Sequence, residues 1–169
     1  YGRTYRLFPT IFKDIHHFKF VDTTDLKAVE KILLEDHPKM IWLESPTNPL
    51  LKITDIAAIS KLAKKSKAKV VVDNTFLSPI FQTPLELGAD VVLHSMSKYI
   101  NGHSDVVAGA LMLNSKSLYD KLWYLQNSIG PSQSPFDSWL VLRGLKTLHI
   151  RMKAHEENAK VVAAYLEKH

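Results

Sequence analysis

The sequence contains no cysteine, which excludes disulfide bonds and any site that depends on a thiolate. It has no run of about 18 apolar residues, the length that a membrane-spanning helix needs, so we expect no membrane partner. The glycine-containing segment YINGHSDVVAG has no phosphate-loop pattern, which argues against a nucleotide site of that kind. These absences leave a globular protein whose chemistry depends on other side chains.

The composition is that of a soluble globular domain. The 169 residues are 46% hydrophobic and 23% charged, and a chain of this length is long enough to bury a core. The net charge is +5, and its densest run is KLAKKSKAK at 61–69. Because no aromatic residue interleaves with these lysines, the run is more typical of the solvated end of an amphipathic helix than of a nucleic-acid site. We expect no nucleic-acid partner.

Strand and helix patterns alternate along the chain. Short apolar runs predict strands at 18–22, 39–44, 69–73, 90–94 and 106–113. Helical spacing of apolar residues predicts helices at 23–37, 53–66, 84–88, 115–130, 134–148 and about 150–168. Thr24 and Thr54 are the expected N-caps of the first two helices. The alternation predicts an α/β fold, with a mostly parallel sheet and helices on both of its faces.

Three of the predicted strands end in polar residues. Glu44 precedes the loop SPTNP, Asp73 precedes NTF, and His94 precedes SMSK. Ligands of open α/β sheets bind beyond the carboxyl ends of the strands, so these segments form the candidate site. Asp73 follows a continuous β-branched strand, where a carboxylate requires a cationic or hydrogen-bonding partner. The alternative for Asp73 is that it caps the turn NTF.

Lys98 lies among hydroxyl groups directly after the strand at 90–94. Taken alone, Lys98 is typical of a surface lysine, and Ser95 and Ser97 are typical of a turn. Taken with Asp73, they match the needs of pyridoxal phosphate: an amine for its aldehyde, a carboxylate for its ring nitrogen, and hydroxyls for its phosphate.

A metal site is the weaker interpretation of the same region. His94 and His103 are the candidate ligands, but no carboxylate stands at a ligand spacing from either. We therefore expect no metal ion.

Several motifs in order resemble one family. VVVDNTFLSPIFQTPLELGADVVLHSMSKYINGHSDVVAG is very similar to the core of the cystathionine γ-lyase and cystathionine γ-synthase family, which are fold-type I pyridoxal phosphate enzymes of cysteine and methionine metabolism. The segments at 1–8, 44–56 and 143–152 also resemble parts of that family. The resemblance covers essentially the whole chain, and it implies that the chain is the central part of the large cofactor-binding domain.

The resemblance implies a role for each residue of the candidate site. Lys98 matches the lysine that carries pyridoxal phosphate, and Asp73 matches the carboxylate that pairs with its pyridine nitrogen. Ser95 and Ser97 match the hydroxyls that bind phosphate. Tyr1 matches the tyrosine that stacks on the cofactor ring, and it counts with Lys98 as catalytic. Asn48 matches an asparagine near the cofactor hydroxyl and the substrate carboxylate. Glu44 matches a supporting residue.

The resemblance also implies an activity. It predicts a lyase of transsulfuration that cleaves cystathionine by α,γ-elimination, in which the substrate amine displaces Lys98 and the freed lysine removes the α-proton. The alternatives are a cystathionine γ-synthase or related γ-replacement enzyme, and a catalytically inactive structural fragment. A cytoplasmic homotetramer is the implied setting, with a small amino acid as the substrate.

Two features depart from the family pattern. The first motif reads YGRT, with Arg3 where YGGT or YGCT is usual, so we expect an altered substrate pocket and disfavour a methionine γ-lyase. The chain is also shorter than half of a family member. We expect residues 1–169 to form a single domain that lacks the N-terminal arm and the C-terminal domain, and to be inactive in isolation.

Overall fold

The computed structural model describes residues 1–169, apart from the side chain of Arg3. Its helices are α1 (Gly2–Ile11), α2 (Leu26–Glu35), α3 (Ile56–Ser66), α4 (Ser78–Phe81), α5 (Lys116–Ile129), α6 (Pro135–Leu145) and α7 (Leu148–Leu166). Its strands are β1 (Met40–Glu44), β2 (Lys69–Asp73), β3 (Val91–Ser95) and β4 (Gly109–Met112). No helix of the described chain is both long enough and apolar enough to cross a membrane.

The strands form one four-stranded sheet in the order β1-β2-β3-β4. β1 and β2 pair in parallel, with Met40 opposite Lys69 and Glu44 opposite Asp73. Two strands that pair in parallel require a crossover connection, which α3 supplies between them. The predicted α/β fold with a mostly parallel sheet is therefore confirmed.

The chain divides into two compact units. The first contains residues 1–74 and 84–92, and the second contains residues 75–83 and 93–169. β3 begins in the first unit and ends in the second.

The core of the first unit is formed by β1, β2 and the helices that flank them in sequence. β2 is buried at every position after Lys69, as a continuous β-branched run predicts. Val29 and Leu33 of α2 are buried, as are Ile59 and Ala63 of α3, and each pair lies four residues apart on one helical face. The buried face of each helix therefore follows from its sequence spacing.

Aspartates begin both of these helices. Asp25 accepts hydrogen bonds from the amides of Lys27 and Ala28, at 2.9 and 3.1 Å, and Asp55 accepts one from Ala58 at 2.8 Å. The predicted N-caps Thr24 and Thr54 are therefore wrong by one residue. The Thr54 hydroxyl instead lies 2.7 Å from that of Thr23.

Other local predictions were also wrong. Residues 18–22 form no strand, and Phe18 instead stacks on Phe8 with ring centroids 5.2 Å apart. Residues 84–88 form a turn rather than a helix, and the short helix of this region is α4. The strand predicted at 106–113 is limited to β4, and α1 was not predicted.

A second hydrophobic core holds α6 and α7 against the segment that follows β3. Its buried members are Ile100, Val106, Val141, Leu148 and Met152. The contact is closest at a glycine of α6, since a Cβ atom on Gly144 would lie 2.2 Å from the carbonyl oxygen of Asn101. Only a residue without a side chain fits at this position.

Gly144→Ala is therefore expected to destabilise the protein by about 1–3 kcal/mol, the usual cost of overpacking a core. Chemical denaturation of the variant and the parent protein measures this difference. Gly2→Ala is the matched control, because a Cβ atom on Gly2 meets no atom within 4 Å and alanine is favoured in a helix. Equal stability of the two variants would contradict the proposed steric origin.

Candidate active site

At the end of β1, Glu44 contacts two of the predicted site residues. One of its carboxylate oxygens accepts a hydrogen bond from the main-chain nitrogen of Tyr1, and the other accepts one from the amide of Asn48 at 3.2 Å. The ring of Tyr1 and the side chain of Asn48 are exposed. Glu44 thus contacts the backbone of both residues, and the supporting role expected for it stays a prediction.

The loop that carries Asn48 is closed by hydrogen bonds at its base. The amide of Thr47 donates to the carbonyl oxygen of Lys52 at 3.0 Å, and the Lys52 amide donates to the Thr47 hydroxyl at 3.0 Å. The amide of Thr54 donates to the buried Ser45 hydroxyl, also at 3.0 Å. These hydrogen bonds join residues that lie close together in the sequence, so they fix the base of the loop locally.

The side chain of Lys52 also fastens this loop, through an ion pair with Asp22. The hydrogen bond from the Lys52 ammonium, followed by those from Thr24, lowers the pKa of Asp22 from 3.8 to about 2. A carboxyl group whose pKa is lowered by folding stabilises the folded state at pH values above its pKa in the unfolded chain. This contribution is lost as the pH falls from 3.8 toward 2.

Lys52→Met is expected to raise the pKa of Asp22 toward 3.8, because the largest cause of the shift is removed. The measurement is an NMR titration of the Asp22 carboxyl carbon. Lys64→Met is the control, since Lys64 is an exposed lysine of α3 and leaves the ion pair intact. An unchanged titration of Asp22 in the Lys52 variant would show that the ion pair does not persist in solution.

Asp73 is the last residue of β2 and is buried, as is Asn74 after it. In the parallel register, Asp73 lies directly opposite Glu44. The structure therefore brings Tyr1, Glu44, Asn48 and Asp73 to one end of the β1-β2 pair, which confirms that these two strand ends are neighbours.

In the second unit, Ser95, Ser97 and Lys98 lie at the exit of β3. Ser95 is the last residue of β3, and its amide donates to the Thr75 hydroxyl at 2.8 Å. The Ser97 hydroxyl accepts a hydrogen bond from the Ala108 amide at 2.9 Å, and the amide of Lys98 donates to the Ser95 carbonyl oxygen at 3.1 Å. Ser95 thus ends β3, and Ser97 and Lys98 lie in the turn that follows it. The Ser97 hydroxyl also donates to the carbonyl oxygen of Ala108 at 3.4 Å.

The side chain of Lys98 is exposed, and it forms no ion pair with the side chains that the structure describes. Its amine is therefore available to a ligand. The carbonyl oxygens of Tyr99 and Ile100, just after it, accept hydrogen bonds from Arg151 of α7. Sequence reasoning missed Arg151, because no local pattern links a helix to a turn 52 residues earlier.

The histidines of this region have other surroundings. His94 is buried within β3, and His103 Nδ1 lies 2.7 Å from the carbonyl oxygen of Asn101. Among the side chains that the structure describes, no group of three His, Asp or Glu residues is arranged to hold a metal ion. The expected effect of Arg3 on the substrate pocket lies outside the described residues.

The chemistry of these groups fits pyridoxal phosphate. An available amine suits its aldehyde, hydroxyls in the same turn suit its phosphate, and a buried carboxylate at a strand end suits its ring nitrogen. Each group lies at or just after the carboxyl end of a strand, where ligands of open α/β sheets bind. The chemistry of the described groups therefore fits the cofactor, and their roles stay predictions.

Comparison with a solved structure identifies the structural class of the protein. A solved structure, cystathionine gamma-lyase from Lactobacillus plantarum complexed with L-serine, superposes on this chain with a TM-score of 0.97 and 50% sequence identity. It matches all of this chain and 44% of the other. The fold is therefore that of the cofactor-binding domain of fold-type I pyridoxal phosphate enzymes, as predicted.

The family follows from the sequence. The family model described as Cys/Met metabolism PLP-dependent enzyme matches residues 1–169, and the chain belongs to this family. Cystathionine gamma-lyase of Dictyostelium discoideum is 52% identical over all of this chain, and a probable cystathionine gamma-synthase of Herpetosiphon aurantiacus is 51% identical. The chain spans 44% and 53% of the lengths of these two relatives. Its cofactor is pyridoxal phosphate, and the family acts in cysteine and methionine metabolism.

Proposed function

We propose that this chain carries the cofactor-binding residues of a carbon–sulfur lyase that cleaves cystathionine by α,γ-elimination. The observation that carries the proposal is the available amine of Lys98, which lies close in sequence to Ser95 and Ser97 at the exit of β3. Membership of a pyridoxal phosphate family makes this amine the best candidate for the cofactor's aldehyde. The lyase from Dictyostelium supports the choice of reaction at 52% identity.

Each residue of the site has a proposed role. Lys98 holds the cofactor covalently, Asp73 keeps a proton on its ring nitrogen, and Ser95 and Ser97 donate hydrogen bonds to its phosphate. The exposed ring of Tyr1 stacks on the cofactor, and Tyr1 acts with Lys98 in catalysis. Asn48, whose backbone is held by Glu44, contacts the cofactor hydroxyl and the substrate carboxylate.

Lys98 moves the proton that begins the reaction. When bound, pyridoxal phosphate supplies an electron sink for the charge that proton removal leaves on the substrate. The amine of Lys98 would hold the cofactor and, once free, would remove the proton from the substrate α-carbon as a general base. Asp73 strengthens the electron sink because its negative charge favours the protonated ring nitrogen.

The test is a product analysis of the protein that contains this chain. With cystathionine and pyridoxal phosphate, a lyase forms cysteine, ammonia and a four-carbon 2-oxo acid. A γ-synthase, the second candidate, is favoured by the 51% identity to the Herpetosiphon protein. It would instead form cystathionine from an activated homoserine and cysteine. Faster formation than cleavage of cystathionine would replace the lyase proposal with the synthase.

We also propose that the active protein is a cytoplasmic homotetramer and that residues 1–169 alone are inactive. The support is the fraction of the relatives that the chain spans, together with the exposed apolar side chains of α5, among them Trp123, Tyr124 and Ile129. Apolar surface of this kind favours association. Sedimentation of the protein that contains this chain tests the tetramer, and a cystathionine assay of residues 1–169 tests their inactivity. Turnover close to that of the longer protein would refute the second.

A further inference from the structure

The turn that carries Lys98 leaves carbonyl groups that it does not satisfy itself. Within the turn, the amide of Asn101 donates to the Met96 carbonyl oxygen at 3.0 Å, and the amide of Gly102 donates to that of Lys98 at 2.8 Å. The Asn101 carbonyl oxygen faces His103 Nδ1. Among the described residues, the carbonyl oxygens of Tyr99 and Ile100 accept no hydrogen bond from the turn itself, and part-buried backbone acceptors without partners are costly.

Arg151 supplies the missing donors. Its Nη1 atom donates to the Tyr99 carbonyl oxygen at 2.7 Å, and Nη2 lies 3.4 Å from that of Ile100. Gly102 leaves the room for this contact, because a Cβ atom there would lie 2.1 Å from Nη1. The guanidinium therefore occupies the space beside the turn, at the two residues that follow Lys98.

The other side of the guanidinium is bound to the junction between α6 and α7. Nη2 donates to the Gly144 carbonyl oxygen at 2.9 Å, and Nε donates to the Thr147 hydroxyl at 3.1 Å. Burial lowers the pKa of the Arg151 guanidinium, which nevertheless stays charged at neutral pH. Arg151 thus joins the helical junction to the turn through a rigid, planar group.

We propose that Arg151 is a positioning residue, which fixes the turn so that the amine of Lys98 is held where it reacts. This inference rests on the proposed function only in taking Lys98 as the lysine that binds pyridoxal phosphate. Reactions of this kind are sensitive to placement, because a displacement of about 1 Å can reduce a rate about 10²-fold. A lysine at position 151 would carry the same charge, but it lacks the planar fork that reaches two carbonyl oxygens and the helical junction together.

The experiment compares Arg151→Lys and Arg151→Met with the control Lys153→Met in the protein that contains this chain. Lys153 is an exposed residue of the same helix, so its replacement removes a charge from α7 without touching the turn. Hydrogen exchange is measured without cofactor. In both Arg151 variants, exchange of the Asn101 and Gly102 amides is expected to accelerate about tenfold or more, the effect of losing hydrogen bonds to a charged group.

The second measurement is the amount of pyridoxal phosphate that borohydride fixes to Lys98 when the cofactor is limiting. Positioning by Arg151 predicts that this amount falls in Arg151→Lys while exchange in β3 stays at the parent rate. Unchanged exchange at the turn, exchange that rises equally throughout residues 93–169, or faster exchange with unaltered labelling of Lys98 would each overturn the proposal.

A different experimental result would contradict the proposed function itself. If borohydride labels another lysine in the parent protein, Lys98 is not the reactive lysine, and the role of Arg151 toward it falls as well. The exchange result then still shows whether Arg151 orders the turn, so the two failures are distinguishable.

Discussion

Replacing Lys98 with alanine is expected to abolish covalent attachment of pyridoxal phosphate and to lower cystathionine turnover by at least about 10³-fold. The size of this decrease in turnover follows from the loss of two proposed functions, covalent attachment and general base catalysis. The fold is expected to persist because the side chain is exposed and forms no ion pair with the described side chains. Borohydride reduction followed by peptide mass spectrometry measures attachment, and a steady-state assay measures turnover.

Lys121→Ala is the matched control for Lys98→Ala. Lys121 is an exposed lysine of α5, so its loss removes the same charge at a distance from the site in sequence. We expect this variant to keep both the attached cofactor and the turnover of the parent protein. Attachment that survives in Lys98→Ala would remove Lys98 from the site.

Asp73→Asn is expected to keep the fold and to admit the cofactor, while turnover falls by about 10²-fold or more. The two side chains have nearly the same shape, but asparagine lacks the charge that favours a protonated ring nitrogen. Preorganised charges of this kind are worth about this factor in catalysis. Circular dichroism checks the fold, cofactor titration checks binding, and the ratio of turnover numbers tests the role of the charge.

Asp55→Asn makes the same chemical change at a different strand-to-helix junction. Asp55 caps α3 through the Ala58 amide, and asparagine is an equally good N-cap, so we expect parental stability and turnover. Near-parental turnover in Asp73→Asn would exclude the proposed charge effect. Asp73 would then be better explained by the alternative role of capping the turn that follows β2.

A secondary-structure element could be predicted from the sequence where the burial of its own side chains determines its residue pattern. β2 occupies the predicted residues 69–73, because a continuous β-branched run is stable only as a covered strand. The segment at 18–22 has a similar composition, but its Phe18 ring packs on Phe8 instead. Strand pairing and ring packing are both long-range, so composition alone cannot decide between them.

The cap assignments were wrong because several adjacent residues can cap a helix. Thr24 and Asp25 are both good N-cap residues, and the backbone rather than the residue type determines which of them accepts the amide hydrogen bonds. For the second helix, the hydroxyl of Thr54 is close to Thr23, a residue 31 positions earlier. No local sequence pattern contains that contact.

The candidate site was predicted in part. The rule that ligands bind at the carboxyl ends of strands placed Glu44 and Asp73 as neighbours, and their register confirms it. The same rule selected the turn of Ser95, Ser97 and Lys98, whose roles stay predictions. It could not find Arg151 or the glycine at position 144, because both act through backbone atoms of a segment that is remote in sequence.

The separation of 52 residues between Arg151 and Tyr99 also sets an order of events during biosynthesis. A ribosome adds about 5–20 residues per second, so Arg151 is synthesised roughly 3–10 seconds after the turn that it holds. During that interval, the carbonyl oxygens of Tyr99 and Ile100 lack the Arg151 guanidinium as a hydrogen-bond donor. The nascent chain can therefore complete the β1-β2 pair well before the segment around Lys98 acquires its final shape. By the role proposed for Arg151, Lys98 reaches its final position only after residue 151 has been synthesised.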